Sequence, residues 1–394
     1  MKLARRLDHI DPFYVMECAK AARAIAASPA CDPALGGEPM IYLNIGEPDF
    51  TAPAAVIAAA EVALRAGRTQ YTEAMGLPAL RERISQWYAH HWGLDVPARR
   101  IVVTAGASAG LQLVCQALFE DGDEVLMPDP SYPCNRHFVA ATGATARLVP
   151  TTPAMRFQLD AEAVRAHWQP QTRGVLLATP SNPTGTSIAP AELARIVDVV
   201  REKGGIAIVD EIYQGLSYDP AFEACALALG DDIVSVNSFS KYFSMTGWRL
   251  GWLVLPQALV EPVERLAQNL YICASSLAQH AAIACFDAES LAECETRRAA
   301  FRERRDFIVP ALRKLGIDIP VMPDGAFYAW ADCRRHAAGS WDFAMRMMQT
   351  AHVALTPGKD FGPAHANTYF RLSFATSMPQ LQETVRRLTR ELDR

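Results

Sequence analysis

Several things are missing from this 394-residue chain, and each absence removes a class of function. No apolar run reaches the roughly 18 residues a membrane-spanning helix requires. The start, Met1-Lys-Leu-Ala-Arg-Arg-Leu-Asp8, turns polar before a secretory core could form. Cationic residues are not in excess: the formal charge is −5, which leaves no footprint for nucleic acid or an anionic membrane. The nine cysteines, from Cys18 to Cys333, are odd in number, scattered and never spaced C-x-x-C. A disulfide framework is therefore not expected, and no metal is expected either; a reduced, cytoplasmic setting is. Neither G-x-G-x-x-G nor a Walker A spacing occurs, so the dinucleotide and NTPase readings fail. There is no internal repeat and no low-complexity tract.

What remains is a chain half apolar and one-fifth charged, long enough for two domains. Short apolar runs alternate with helical patterns through its middle. Strands are expected at Ile101–Thr104, Glu124–Met127, Thr145–Val149, Gly174–Ala178, Ile206–Val209, Ile233–Val236 and Gly251–Leu255. Helices are expected at Tyr14–Ala27, Pro53–Ala66, Leu77–His91, Ala109–Phe119, Pro133–Ala141 and Pro190–Lys203. This alternation predicts an α/β fold around a mostly parallel sheet, with ligands beyond the carboxyl ends of the strands. From about residue 285 the pattern becomes α+β. A charged helical stretch, Ala288–Leu315, is expected to present a solvated face and to kink or split at Pro310.

Five stretches carry chemistry. Asn237-Ser-Phe-Ser-Lys241 follows a buried strand, and Lys241 sits in a polar loop beside Ser238, Ser240 and Arg249. A lysine amine with a lowered pKa condenses with carbonyls; hydroxyls and a guanidinium hold phosphate. Together they suggest pyridoxal 5′-phosphate (PLP), against the alternative of a solvated loop lysine. Asp210 ends an apolar strand three residues before Tyr213; it suits a pyridine nitrogen, as it would a capping or ion-pair role. Ser181-Asn-Pro-Thr-Gly185 is a turn in which Asn182 can donate and accept, with an Asn-Pro bond that is a candidate for cis. Thr104-Ala-Gly-Ala-Ser108 runs from strand into helix and presents the N–H groups of Ala107 and Ser108 to an anion; downstream, Tyr132 lies at another strand end, open to stacking or to plain packing. Arg371 lies within an apolar strand, where an internal ion pair or an incoming carboxylate would satisfy it. Cys134 is the one cysteine near these stretches, and burial as a small core residue is the favoured reading.

Taken together, Asn44-Ile-Gly-Glu-Pro-Asp-Phe50, Gln70-Tyr-Thr72, Ser181-Asn-Pro-Thr-Gly185, Asp210-Glu-Ile-Tyr213, Ser238-Phe-Ser-Lys241, Gly247-Trp-Arg-Leu-Gly251 and Arg371-Leu-Ser-Phe-Ala375 resemble, over nearly the whole chain, the class I/II aminotransferases of PLP fold-type I. The resemblance implies a large domain, residues 50–284, with a mostly parallel seven-stranded sheet, and a small α+β domain built from residues 1–49 and 285–394. It implies transfer of an amino group between an L-amino acid and a 2-oxo acid by a ping-pong route. Lys241 would form the internal aldimine and shuttle the proton. Asp210 would pair with the ring nitrogen. Tyr213 and Asn182 would bond the ring oxygen, and Tyr132 would stack on the ring. Ala107, Ser108, Ser238, Ser240 and Arg249 would hold the phosphate, joined by Tyr71 from the other subunit of a homodimer. Gly46, Asn182 and Arg371 would bind the substrate carboxylate.

Specificity is less legible. Members favouring aspartate carry a lysine where this chain has Ser108, or take an arginine from the partner, and Tyr271–Leu277 contains none. A neutral or aromatic donor is therefore preferred, with 2-oxoglutarate or pyruvate as acceptor. Phe13, Tyr14 and Met75 are candidates for an apolar side-chain pocket or for core packing. Two other outcomes share the cofactor residues: a PLP lyase, of C–S lyase or aminocyclopropane carboxylate synthase type, and a PLP-sensing regulator, which would need a DNA-binding module that the sequence lacks.

Overall fold

The computed structural model describes residues 3–393; Met1 and Lys2 of the polar start lie outside them. After the short β1 (Ile41–Tyr42) come β2 (Ile101–Thr104), β3 (Glu124–Asp129), β4 (Thr145–Pro150), β5 (Thr172–Ala178), β6 (Ile206–Asp210), β7 (Val234–Ser238) and β8 (Gly251–Val254). β2 to β8 form one seven-stranded sheet in the order β2-β8-β7-β6-β5-β3-β4. β8 runs antiparallel to both neighbours and the other pairings are parallel.

The alternation of side chains along each strand builds two cores. Val175, Leu177, Ala207 and Val209 face one side and meet Leu193, Ile196, Val197 and Val200 of the helix Pro190–Glu202. Leu176, Ile208, Val234 and Val236 face the other and meet Leu111, Val114 and Cys115 of the helix Ala107–Leu118. Both faces are covered, so these strands read as continuous apolar runs. Each such buried aliphatic side chain contributes roughly 1.5–3 kcal/mol by leaving water.

The pairing also fixes where the strand ends lie. Ala178 pairs with Asp210 and Asp210 with Val236. Gly251 pairs with both Ser238 and Thr104. The loops after β2, β5, β6 and β7, and the loop entering β8, therefore emerge on one edge of the sheet.

The later strands are β9 (Tyr328–Asp332), β10 (Val353–Ala354), β11 (Thr356–Pro357) and β12 (Tyr369–Ser373). β11, β12 and β9 form an antiparallel sheet, while β10 pairs in parallel with β1, joining the two ends of the chain. One expectation is narrowed here and one is corrected. The helix Ala288–Lys314 runs through Pro310 without splitting, held by buried Phe301, Ile308, Val309 and Leu312 around the proline. Its charges are not simply solvated: Arg304 is buried and grips Asp49 through two bonds of 2.7 and 2.9 Å, and buried Arg297 pairs with Glu293. The helix Gln257–Leu270 was not expected; Pro262 interrupts its pattern, yet Val260, Val263 and Ala267 give it one buried face.

Candidate active site

The strand ends surround a cavity of about 380 Å³. Its floor comes from the central sheet. Asp210, the last residue of β6, is buried, and one carboxylate oxygen accepts from the Ile212 N–H at 3.1 Å. Burial pushes its carboxyl up to about 7, against the pull of the Ile212 bond and of Lys241. Lys241 follows β7 and donates to the Gly46 carbonyl at 2.6 Å. Burial, with repulsion from Arg371, holds its amine down at about 8. The neutral, nucleophilic form is thus within reach at moderate pH. Ser238 accepts from the Ser240 N–H at 3.0 Å, and both serines line the cavity.

Gly106 precedes the helix Ala107–Leu118 at φ +86°, and no side chain caps that helix. Any side chain there would meet the Arg249 guanidinium 2.5 Å from its Cβ. Arg249 itself holds the left-handed conformation at φ 53°, uncommon for a non-glycine residue, and donates to the Thr246 carbonyl at 2.9 Å. Uncapped N–H groups at Ala107 and Ser108, two serines and this arginine form a seat for a dianion. Asp210 and Tyr132 line the same cavity. The residues present therefore fit PLP: an anion seat, a buried carboxylate for a ring nitrogen and an amine, all lining one cavity.

The roof comes from both chain ends. Arg371 is buried on β12; its guanidinium donates to the Asn182 side-chain oxygen at 2.9 Å and to the Asn44 carbonyl at 2.6 Å. Its Nε, also buried, has no protein partner. The internal ion pair considered for Arg371 is absent among the described residues; its bonds go to neutral groups. Phe13, Val15, Met16 and Ile45 complete the apolar wall. Asp360 holds that wall in place by accepting from the Tyr14 and Val15 N–H groups at 3.1 and 2.9 Å. The Asn182–Pro183 bond is cis.

Of the sequence candidates, Gly46, Ala107, Ser108, Tyr132, Asn182, Asp210, Tyr213, Ser238, Ser240, Lys241, Arg249 and Arg371 line this one cavity. Tyr71 does not: it is 79 % exposed on a loop packed beside Ser276. Phe13 reaches the cavity, but Tyr14 packs edge-on to Trp341 and Met75 is buried in the sheet core. Cys134 is half-buried, and burial raises its thiol pKa against the pull of a hydrogen bond with Tyr132. Val15, Met16, Asp360 and Tyr328 were not foreseen, because nothing in their local sequence marks them. No cluster of metal-ligating side chains occurs among the described residues, and no helix there is long and apolar enough to cross a membrane.

Comparison with known proteins agrees with this geometry. The family described as Aminotransferase class I and II matches residues 38–388. The chain is 38 % identical to the valine–pyruvate aminotransferase of Mycobacterium tuberculosis, covering 96 % of both chains. It is 32 % identical to the aspartate aminotransferase of Geobacillus stearothermophilus, covering all of this chain and 99 % of the other. A crystal structure of an aminotransferase from M. tuberculosis superposes with a TM-score of 0.94 at 37 % identity, covering 100 % and 99 % of the two chains. The fold is that of the fold-type I aminotransferases, and the cofactor is PLP. The chain belongs to the class I and II aminotransferases and is a transaminase.

Proposed function

We propose that this enzyme takes its amino group from a neutral aliphatic L-amino acid and passes it to a small 2-oxo acid such as pyruvate, in two half-reactions at the one cavity. The observation that carries this reading is the allocation of charge. Three cations line the cavity: Arg249 beside the anion seat, Lys241 beside Asp210, and Arg371 in the roof. Among the described residues none is left over for a second substrate carboxylate, and Phe13, Val15, Met16 and Ile45 give the same cavity an apolar lining. The similarity to a valine–pyruvate aminotransferase supports the same choice.

When bound, PLP withdraws electrons from the substrate Cα, so that its proton can leave. The chain's residues do the rest. Ala107, Ser108, Ser238, Ser240 and Arg249 would hold the phosphate, Tyr132 would support the ring, and Tyr213 and Asn182 would hydrogen-bond its oxygen. Asp210 would accept from the ring nitrogen and keep it protonated. Arg371, supported by Asn182 and Gly46, fixes the substrate carboxylate and thereby points the Cα–H bond. Lys241 would hold the cofactor, and its amine would take the Cα proton and return it. The division into residues 50–284 and residues 1–49 with 285–394 separates floor from roof. A second copy supplies Tyr71 to the phosphate: its loop lies beside Tyr271–Ser276, near the exposed apolar Leu270 and Ile272, a face suited to a homodimer. Nine free cysteines suit a cytoplasmic setting, in amino-acid metabolism.

The test is a panel of amino donors with pyruvate and 2-oxoglutarate as acceptors. Valine or leucine is expected to exceed aspartate at least tenfold in kcat/KM, the discrimination expected when a second carboxylate finds no partner. Equal or better use of aspartate would overturn the substrate assignment. Product release without an oxo acid would favour a lyase.

A further inference from the structure

Tyr328 lies on β9 where floor and roof meet, and its hydroxyl and ring each touch a different part of the machinery. The hydroxyl is 2.8 Å from that of Tyr213, with the two rings edge to face at 5.7 Å. The Arg371 guanidinium lies 4.6 Å from the centre of the Tyr328 ring. The hydroxyl also abuts Gly46, where any Cβ would collide with it, and the Gly46 carbonyl is the acceptor for Lys241. We infer that Tyr328 is a positioning residue: its hydroxyl donates to Tyr213 and so turns the Tyr213 proton toward the cofactor's ring oxygen, while its ring supports Arg371 against the substrate carboxylate. This rests on the roles proposed above for Tyr213 and Arg371.

The proton count supports the direction. Burial raises both phenols, so both hydroxyls keep their protons. If the Tyr213 proton points to the cofactor, the 2.8 Å contact must be filled by the proton of Tyr328. A hydroxyl that accepts one hydrogen bond donates a stronger one. The titratable groups around the pair are Asp210 at the end of β6, Lys241 after β7, Arg371 on β12 and Tyr132 after β3. Tyr328→Phe changes none of them, so its effect reports the hydroxyl alone.

The experiment titrates the visible absorption band of the PLP-loaded protein against pH, in wild type, Tyr328→Phe, Tyr213→Phe and the double variant. Weaker donation to the ring oxygen leaves the neighbouring protonated nitrogen harder to deprotonate. Tyr328→Phe is therefore expected to form the band with its midpoint raised by roughly half a pH unit, the scale of one modest hydrogen bond. In the Tyr213→Phe background the same change is expected to add nothing. An unmoved midpoint in Tyr328→Phe, or an equal shift without the Tyr213 hydroxyl, would overturn the relay. The ring's part is read from the dissociation constant of isovalerate, a carboxylate with no amine, followed through the same band. It is expected to be unchanged in Tyr328→Phe and several-fold weaker in Tyr328→Leu; wild-type affinity in Tyr328→Leu would overturn that part. Tyr328→Leu also lacks the hydroxyl and gives the same midpoint test if the phenylalanine variant does not fold. A wild-type protein with no band at all would instead be a failure of the site itself.

Discussion

The floor and the roof of the cavity are built on different principles. The floor residues, Ala107, Ser108, Asp210, Ser238, Ser240, Lys241 and Arg249, sit at or just beyond strand ends of one sheet, and its register sets them side by side. The roof is assembled over great separations in sequence. Arg371 bonds Asn44, 327 positions away, and Asp360 holds Val15, 345 positions away. The floor is polar and charged; the roof brings the apolar Phe13, Val15, Met16 and Ile45 together with Arg371, Glu47 and Tyr328. On the proposed roles, chemistry common to any amino acid falls to residues placed by local βα turns, and the choice of amino acid falls to residues brought over them by the chain ends.

Variants in each region should separate along this line. Arg371→Leu removes charge-assisted bonds to the substrate carboxylate, a loss of about 2–5 kcal/mol. We expect kcat/KM for the amino donor to fall from roughly thirtyfold to a few thousandfold, with PLP affinity little changed by equilibrium dialysis. A parallel loss of PLP affinity would mean that floor and roof are not independent. Gly106→Ala acts on the other side. Its Cβ would lie 2.5 Å from Arg249 at a φ of +86°, a strain of order 1–3 kcal/mol. PLP should bind about tenfold more weakly, and the ranking of amino donors should not change. The smallest effect is on stability. Asp210 is raised from 3.8 to about 7 by burial, so the cofactor-free protein is favoured at low pH and loses that contribution as pH rises from 4 through 7. Asp210→Asn should therefore raise the melting temperature of the cofactor-free protein above pH 7 by roughly a few degrees, and by less near pH 4. Differential scanning calorimetry across pH checks this; a lowered melting temperature at pH 8 would contradict it.

The same contrast governs what could be read from the residues alone. Most strands of the main sheet were legible because they are short apolar runs buried on both faces, the edge strand β4 being buried only at Val149, and Asp210, Ser238 and Lys241 stood out as polar groups at or just beyond such runs. The roof was legible at Arg371, whose charge is anomalous in an apolar strand, at Gly46 through the family resemblance, and at Phe13 as one of two readings. Tyr328 was hidden because Tyr328–Asp332 is buried at every position, so alternation does not mark which side faces the cavity. Val15 and Met16 lie on a helix whose pattern predicts burial of one face but not the partner, and Met75 went to the core instead. The charged helix misled because Arg304 and Arg297 find acids that local sequence does not pair with burial.

The most direct test of the site is the absorption spectrum of the purified protein loaded with PLP, in wild type and in Lys241→Ala. The wild type should show a visible band that survives dialysis and disappears when an amino donor is added. Lys241→Ala, folded as judged by circular dichroism, should lack that band and have no transaminase activity; the same dialysis-resistant band in the variant would place the cofactor's attachment elsewhere.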